Sequence, residues 1–154
     1  MKILIKTFYT AFNNLDAETM ISCYHHDIIF EDPAFGILKG EKAKNMWRML
    51  CASQKGNTFD VKFSKIEADE KKGSAHWEAF YNFSKTGRSV HNKIDATFEF
   101  KDGKIINHID HFDLHNWAKQ AIGFKGFLLG GTSFFKTKLQ GQTNALLSKF
   151  ESKQ

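Results

Sequence analysis

Over the first third of the chain, apolar residues recur at helical spacing. Leu4, Phe8, Ala11, Phe12 and Leu15 form one stripe about three turns long, which predicts an amphipathic helix. Asp16 suits the N-cap of a second short helix through Met20, Ile21 and Tyr24. In the run DIIFEDP, Ile28, Phe30 and Asp32 share one face of a strand that Pro33 ends. A third helix is expected from Gly40 or Glu41 to Ala52, with Ala43, Met46, Trp47 and Leu50 turned inward. From Thr58 the period changes to two, which predicts strands over 58–69, 74–84, 89–101 and 104–113. Lys71-Lys72-Gly73, Lys85-Thr86-Gly87 and Asp102-Gly103 supply the turns between them. Helices first and an antiparallel meander last describe an α+β chain rather than alternating βα units. After Phe112 a short helix is expected over 114–122, followed by glycines at 123, 126, 130 and 131. Thr132 or Ser133 then caps a final helix carrying Phe134, Phe135, Leu139, Leu146, Leu147 and Phe150.

With 154 residues, 42% of them hydrophobic, and a single Pro, the chain reads as one domain with a core of its own. Two cysteines, Cys23 and Cys51, fit reduced thiols in the cytoplasm better than a disulfide framework. No window of 18 uninterrupted apolar residues occurs, so no transmembrane helix is expected. Lys6 breaks the first apolar run and no small-residue cleavage site follows, which sets a signal peptide aside.

The formal net charge of +5 belongs entirely to one end. Residues 1–113 carry 16 Lys and Arg against 16 Asp and Glu, whereas 114–154 carry six Lys and one Glu. The neutral body has no electrostatic reason to bind nucleic acid, and none is expected as a partner. Without a run of four lysines, 114–154 reads as a basic extension that covers apolar surface on the body or on a dimer mate, and no membrane is expected among its partners.

Strand phase selects the polar groups that face inward. Val90, Ile94, Ala96, Phe98 and Phe100 form one face of 89–101, and Asn92 shares it. Ile106 and Phe112 bracket His108 and Asp110 in 104–113, while Ala75, Trp77, Ala79, Tyr81 and Phe83 make a stripe in 74–84. The inner wall is thus aromatic with Asp32, Asn92, His108 and Asp110 as its polar exceptions, the usual make-up of a small-molecule pocket. The string from His108 to His115 invites a metal, but period two divides it between two faces, and no metal site is expected.

The runs FYTAFNNLDAETM, YHHDIIFEDPAFG and FEFKDGKIINHIDHFD, in this order and spacing, resemble the nuclear transport factor 2-like superfamily, in particular its SnoaL-like and ketosteroid-isomerase-like branches. The resemblance covers about residues 3–113, read as the domain 1–113, with 114–154 outside it. It implies N-terminal helices packed on a strongly curved, mainly antiparallel sheet, forming a cone with a pocket at its open end, and a homodimer. It also implies activities among isomerases, dehydratases, cyclases and epoxide hydrolases, alongside non-catalytic members. Asp32 matches the isomerases' general base. Their oxyanion-hole tyrosine falls on Phe8, which has no donor, and their second acid falls near Ala96, so steroid isomerisation is not expected. In cyclase-like and dehydratase-like relatives an Asp with a His carries the acid–base step, which points to His108 with Asp32 or Asp110. The epoxide-hydrolase pattern of an Arg two residues before an Asp appears only as Lys93-Ile94-Asp95, on the outer face.

The expectation is therefore a pocket protein acting without a cofactor on a small apolar ligand, with Asp32, His108 and Asp110 as catalytic candidates. Phe8, Phe30, Trp47, Trp77, Tyr81, Asn92, Phe98 and Phe112 are the candidate ligand contacts. The same residues admit structural roles: Asp32 as a loop cap, and His108 with Asp110 as a satisfied polar pair. A non-catalytic binding or interaction module is the alternative.

Overall fold

The computed structural model describes residues 1–153. Its first helix, α1 (Lys2–Asn13), buries Ile5, Phe8, Tyr9 and Phe12, the stripe the periodicity marks out. The Asp16 carboxylate accepts the Thr19 amide at 3.0 Å and starts α2 (Ala17–Ser22). Strand β1 (Tyr24–Asp32) begins three residues before the predicted Asp27, because Tyr24 turns inward to the core instead of finishing a helix. His25 and His26 therefore lie in β1, with His25 buried. A short strand the periodicity does not reveal, β2 (Gly36–Lys39), returns alongside β1. Helix α3 (Glu41–Gln54) follows, and the Arg48 guanidinium ties it to Glu18 of α2 at 2.8 Å.

The meander comprises β3 (Phe59–Ala68), β4 (Lys72–Asn82), β5 (Ser89–Lys101) and β6 (Lys104–His111). The sheet order is β2-β1-β6-β5-β4-β3, antiparallel throughout except that β1 runs parallel to β6. Irregular registers in β3–β4, β5–β6 and β1–β6 curl the sheet, since an unpaired residue bends its strand and raises the local twist. One of them corrects the predicted phase of β6. Phe100 pairs with Ile105 and Glu99 with Asn107, so Ile106 is the extra residue, and Ile105 takes the inner face. Beyond that bulge the alternation resumes with His108 and Asp110 inside.

The segment after β6 folds onto the body. Asp113 caps α4 (Leu114–Ile122), whose Trp117, Ala118 and Ala121 form a second apolar cluster with Val90. The glycine-rich stretch, for which the sequence predicts no element, contains a further helix, α5 (Phe124–Leu129). Thr132 caps α6 (Ser133–Glu151), whose Leu147 enters the main core. No helix among the described residues is long and apolar enough to cross a membrane.

Candidate functional site

A cavity of about 570 Å³ lies between the inner sheet face, α3, α4 and α6. Met46, Trp47 and Leu50 of α3 form one wall. Trp77, Ala79 and Tyr81 of β4, with Asn92 and Ile94 of β5, form the floor. Phe30, Asp32, Asp110 and Phe112 line the side nearest β1 and β6, while Trp117, Leu139, Thr143, Leu146 and Phe150 come from the C-terminal helices.

Six of the eight candidate contacts, namely Phe30, Trp47, Trp77, Tyr81, Asn92 and Phe112, line this cavity. Phe8 and Phe98 do not. Phe8 stacks on Tyr24 and meets Trp47 edge-on, and Phe98 is covered by Tyr9 and His108. The inward phase of both residues is as expected, but α1 packs the closed half of the sheet solid, leaving open only the half that α3 and α6 cover.

The three polar candidates are similarly divided. Asp32 and Asp110 line the cavity, and His108 stands behind Asp110, fully buried. Phe30 is the register partner of His108 and Glu31 that of Ile109 on the parallel neighbour strand. One residue beyond this register come Asp32 and Asp110, which both line the cavity.

A buried hydrogen-bond chain holds Asp110. The Trp47 indole N–H can only donate, and it does so to the Tyr24 hydroxyl at 2.8 Å. Tyr24 Oη lies 2.7 Å from His108 Nδ1, His108 Nε2 lies 3.0 Å from Asp110 Oδ1, and Trp77 Nε1–H donates to the same oxygen at 3.1 Å. With Asp110 ionised, every donor in the chain finds an acceptor when Tyr24 donates to Nδ1 and His108 is neutral with its proton on Nε2. His108 is thereby a buried hydrogen-bonding link whose other face is closed to the cavity by Phe30, Trp47 and Phe98.

Asp32 is partly buried at the end of β1, and its Oδ1 accepts the amides of Ala34 at 3.0 Å and Phe35 at 2.6 Å. The carboxylate thus caps the turn into β2, one of the two roles the sequence leaves open. Its second oxygen makes no hydrogen bond among the described residues. Burial pushes the Asp32 pKa up to about 7, with the Asp110 charge acting in the same direction and the two amides opposing it. The group is therefore divided between acid and base near neutrality.

A donor that the sequence reading misses is the hydroxyl of Tyr81. Trp117 Nε1–H donates to Tyr81 Oη at 2.8 Å, so the tyrosine's own proton is unused among the described residues. Burial raises its pKa, assisted by the charge of Asp32, so it stays protonated at neutral pH. Strand phase places Tyr81 on the wall, but the oxygen's freedom depends on Trp117, which lies 36 residues away in sequence. Tyr9, the neighbour of the position where the isomerases have their tyrosine, buries a hydroxyl that has no partner among the described residues and lies outside the cavity.

Lys93 and Asp95 are exposed on the outer face, where Asp95 Oδ1 lies 2.8 Å from His76 Nδ1, so the Lys-x-Asp string lies away from the cavity. His25, His26 and Asp27 bring three potential metal-binding atoms together at the edge of β1. His25 Nδ1 accepts the Asp27 amide at 3.1 Å, so one ring nitrogen is already engaged within the cluster.

The comparisons agree with this architecture. Residues 5–108 match the family of the SnoaL-like domain. Bal32a, from a soil-derived mobile gene cassette, superposes with a TM-score of 0.65 at 22% identity, covering 76% of this chain and 92% of its own. A candidate polyketide cyclase from Xanthomonas campestris pv. campestris gives 0.61 at 17% identity, over 76% and 93% of the two chains. An LEH-like epoxide hydrolase of M. tuberculosis gives 0.60 at 24% identity, over 82% and 88%. At these identities the structures share a fold, and their activities do not transfer. No curated protein matches the sequence. The family match spans α1 to His108, the same stretch that builds the curled sheet and the body of the pocket, and on it the chain belongs to the SnoaL-like domain family.

Proposed function

We propose that the chain is an enzyme acting without a cofactor, which removes a proton from carbon next to a carbonyl group in a small, largely apolar substrate. The observation that carries this reading is the Asp32 carboxyl, raised to about 7 in an apolar cavity with one oxygen uncommitted. A base with this pKa is available at neutral pH yet strong enough to take a carbon-bound proton. The Tyr81 hydroxyl would donate a hydrogen bond to the developing enolate oxygen, the service that Phe8 cannot perform. Asp110, fixed by Trp77 and His108, would hold Asp32 basic and assist in returning the proton. Return to another carbon gives isomerisation, loss of a β-hydroxyl gives dehydration, and attack of the enolate on a second carbonyl gives cyclisation. The aromatic walls of Trp47 and Trp77 suit a flat, ring-bearing substrate.

The test is hydrogen–deuterium exchange at the α-carbon of cyclic enones and ketones, followed by NMR in deuterated buffer. Wild type should accelerate exchange, with a rate that rises as pH passes through about 7. Asp32→Asn should lose about 10²–10⁴-fold and Tyr81→Phe about 10²-fold. Exchange no faster than in buffer, or unchanged in Asp32→Asn, would favour the non-catalytic pocket, in which Asp32 serves only the turn.

A further inference from the structure

We propose that α5 and the start of α6 form a docking surface for an anionic lipid bilayer. Helix α5 is mounted on α4 through its glycines. A Cβ at Gly126 would lie 1.9 Å from the Ala118 carbonyl oxygen, and one at Gly130 would lie 2.6 Å from the Ala118 side chain. His115 Nε2 also donates to the Phe127 carbonyl oxygen at 2.7 Å. The glycine side of α5 is thereby fixed to the body, and its bulky side chains are held outward. Phe124 is 74% exposed, Phe127 51%, Leu128 58% and, across the Gly130-Gly131 turn, Phe134 68%. Monomeric proteins seldom expose so many large apolar side chains together without a use for them.

Charge identifies the occupant. Lys119, Lys125, Lys136 and Lys138, which flank or interleave these residues along the chain, are exposed, none is ion-paired among the described residues, and no acidic residue occurs from 114 to 150. A second copy meeting this surface would bring like charges together. A protein partner is a poorer match, because Trp, Tyr and Arg, the usual anchors of protein interfaces, are missing from 124–138. Phe and Leu flanked by lysines is the pattern of segments that lie in the interface of a negatively charged membrane. The sparse lysines alone do not call for a membrane; the outward apolar side chains between them change that reading.

The experiment is flotation of the full chain with vesicles of phosphatidylcholine containing about 30% phosphatidylglycerol, against vesicles of phosphatidylcholine alone. Binding should be at least about tenfold stronger to the anionic vesicles and should weaken by a similar factor in about 0.5 M salt. The triple variant Phe124→Ser, Phe127→Ser, Leu128→Ser should lose binding by about tenfold or more while keeping the wild-type Tm, since these side chains are largely in solvent. Lys125→Glu, Lys136→Glu, Lys138→Glu should lose it as well. Absence of binding by the wild type, or binding untouched by either variant, would overturn the proposal. So would light scattering that shows a dimer which the triple serine variant converts to monomer.

Discussion

The two oxygens of Asp32 meet different demands: Oδ1 accepts two turn amides, and Oδ2 has no hydrogen-bond partner among the described residues. This division separates the effects of two substitutions. An Asn at this position keeps an oxygen for the amides of Ala34 and Phe35 but cannot ionise. The folded pKa of about 7 lies above the unfolded value of about 4. The folded protein therefore holds a proton that the unfolded chain releases, and this contribution is fully present below about pH 4 and is lost as pH rises through about 7. Asp32→Asn should accordingly match wild-type stability at pH 4 and exceed it by about 4 kcal/mol at pH 8. Asp32→Ala, which abandons the amides, should fall below Asp32→Asn by about 1–2 kcal/mol at both pH values. Urea unfolding at pH 4 and pH 8 measures both. Equal losses in the two variants would mean that the charge is not penalised in the folded state. The sequence made Asp32 a candidate through its alternation with Ile28 and Phe30; its shifted acidity arises from burial and from Asp110, 78 positions later, and no local pattern records that.

Helix α6 acts on this carboxyl through the turn it grips. Gln140 Nε2 donates to the Pro33 carbonyl at 3.2 Å, Thr143 Oγ1 to that of Ala34 at 2.8 Å, and Asn144 Nδ2 to that of Phe35 at 2.9 Å. Gly36, at φ +73°, lets the chain reverse directly under Gln140. Replacing Thr143 and Asn144 by Ala should cost about 2 kcal/mol. It should also lower the Asp32 pKa toward the ordinary carboxylate range as water reaches it, which ¹³C NMR titration of the carboxyl would register. An unchanged titration would show that α6 only braces the turn. Most elements could be read from the chain because their signals are local: the stripe of α1, the Asp16 cap, the Asp102-Gly103 turn. The early start of β1, the edge strand β2, the bulge at Ile106 and α5 were not legible. Tyr24 leaves the helix for a place between Phe8 and Trp47, Ile106 is passed over where β6 pairs with Glu99 and Phe100 of β5, and α5 depends on glycines fitted against Ala118.

Taken whole, the molecule is a curled sheet closed at one end by α1 and roofed at the other by α3, α4 and α6. Removing residues 114–153 would uncover Val90, Tyr81, Phe83 and Phe112 and take away Trp117 and Leu147. Burial on this scale predicts a loss of several kcal/mol and a Tm lower by about 10 °C or more. Thermal melts of the shortened and full chains would check it, and equal Tm values would show the extension to be dispensable. The apolar faces of α1, α3, β4 and β5, the order of helices before an antiparallel meander, and the placing of the whole net positive charge in the last 41 residues follow from the order of residues alone, since each depends on neighbours a few positions apart. Which inward residues meet open space was decided by tertiary structure. Phe8, Phe98 and His108 have the same inward phase as residues that line the cavity, yet they lie where α1 fills the sheet. Cavity position is set by how distant elements cover a curved surface, and periodicity carries no information about which half of that surface stays open.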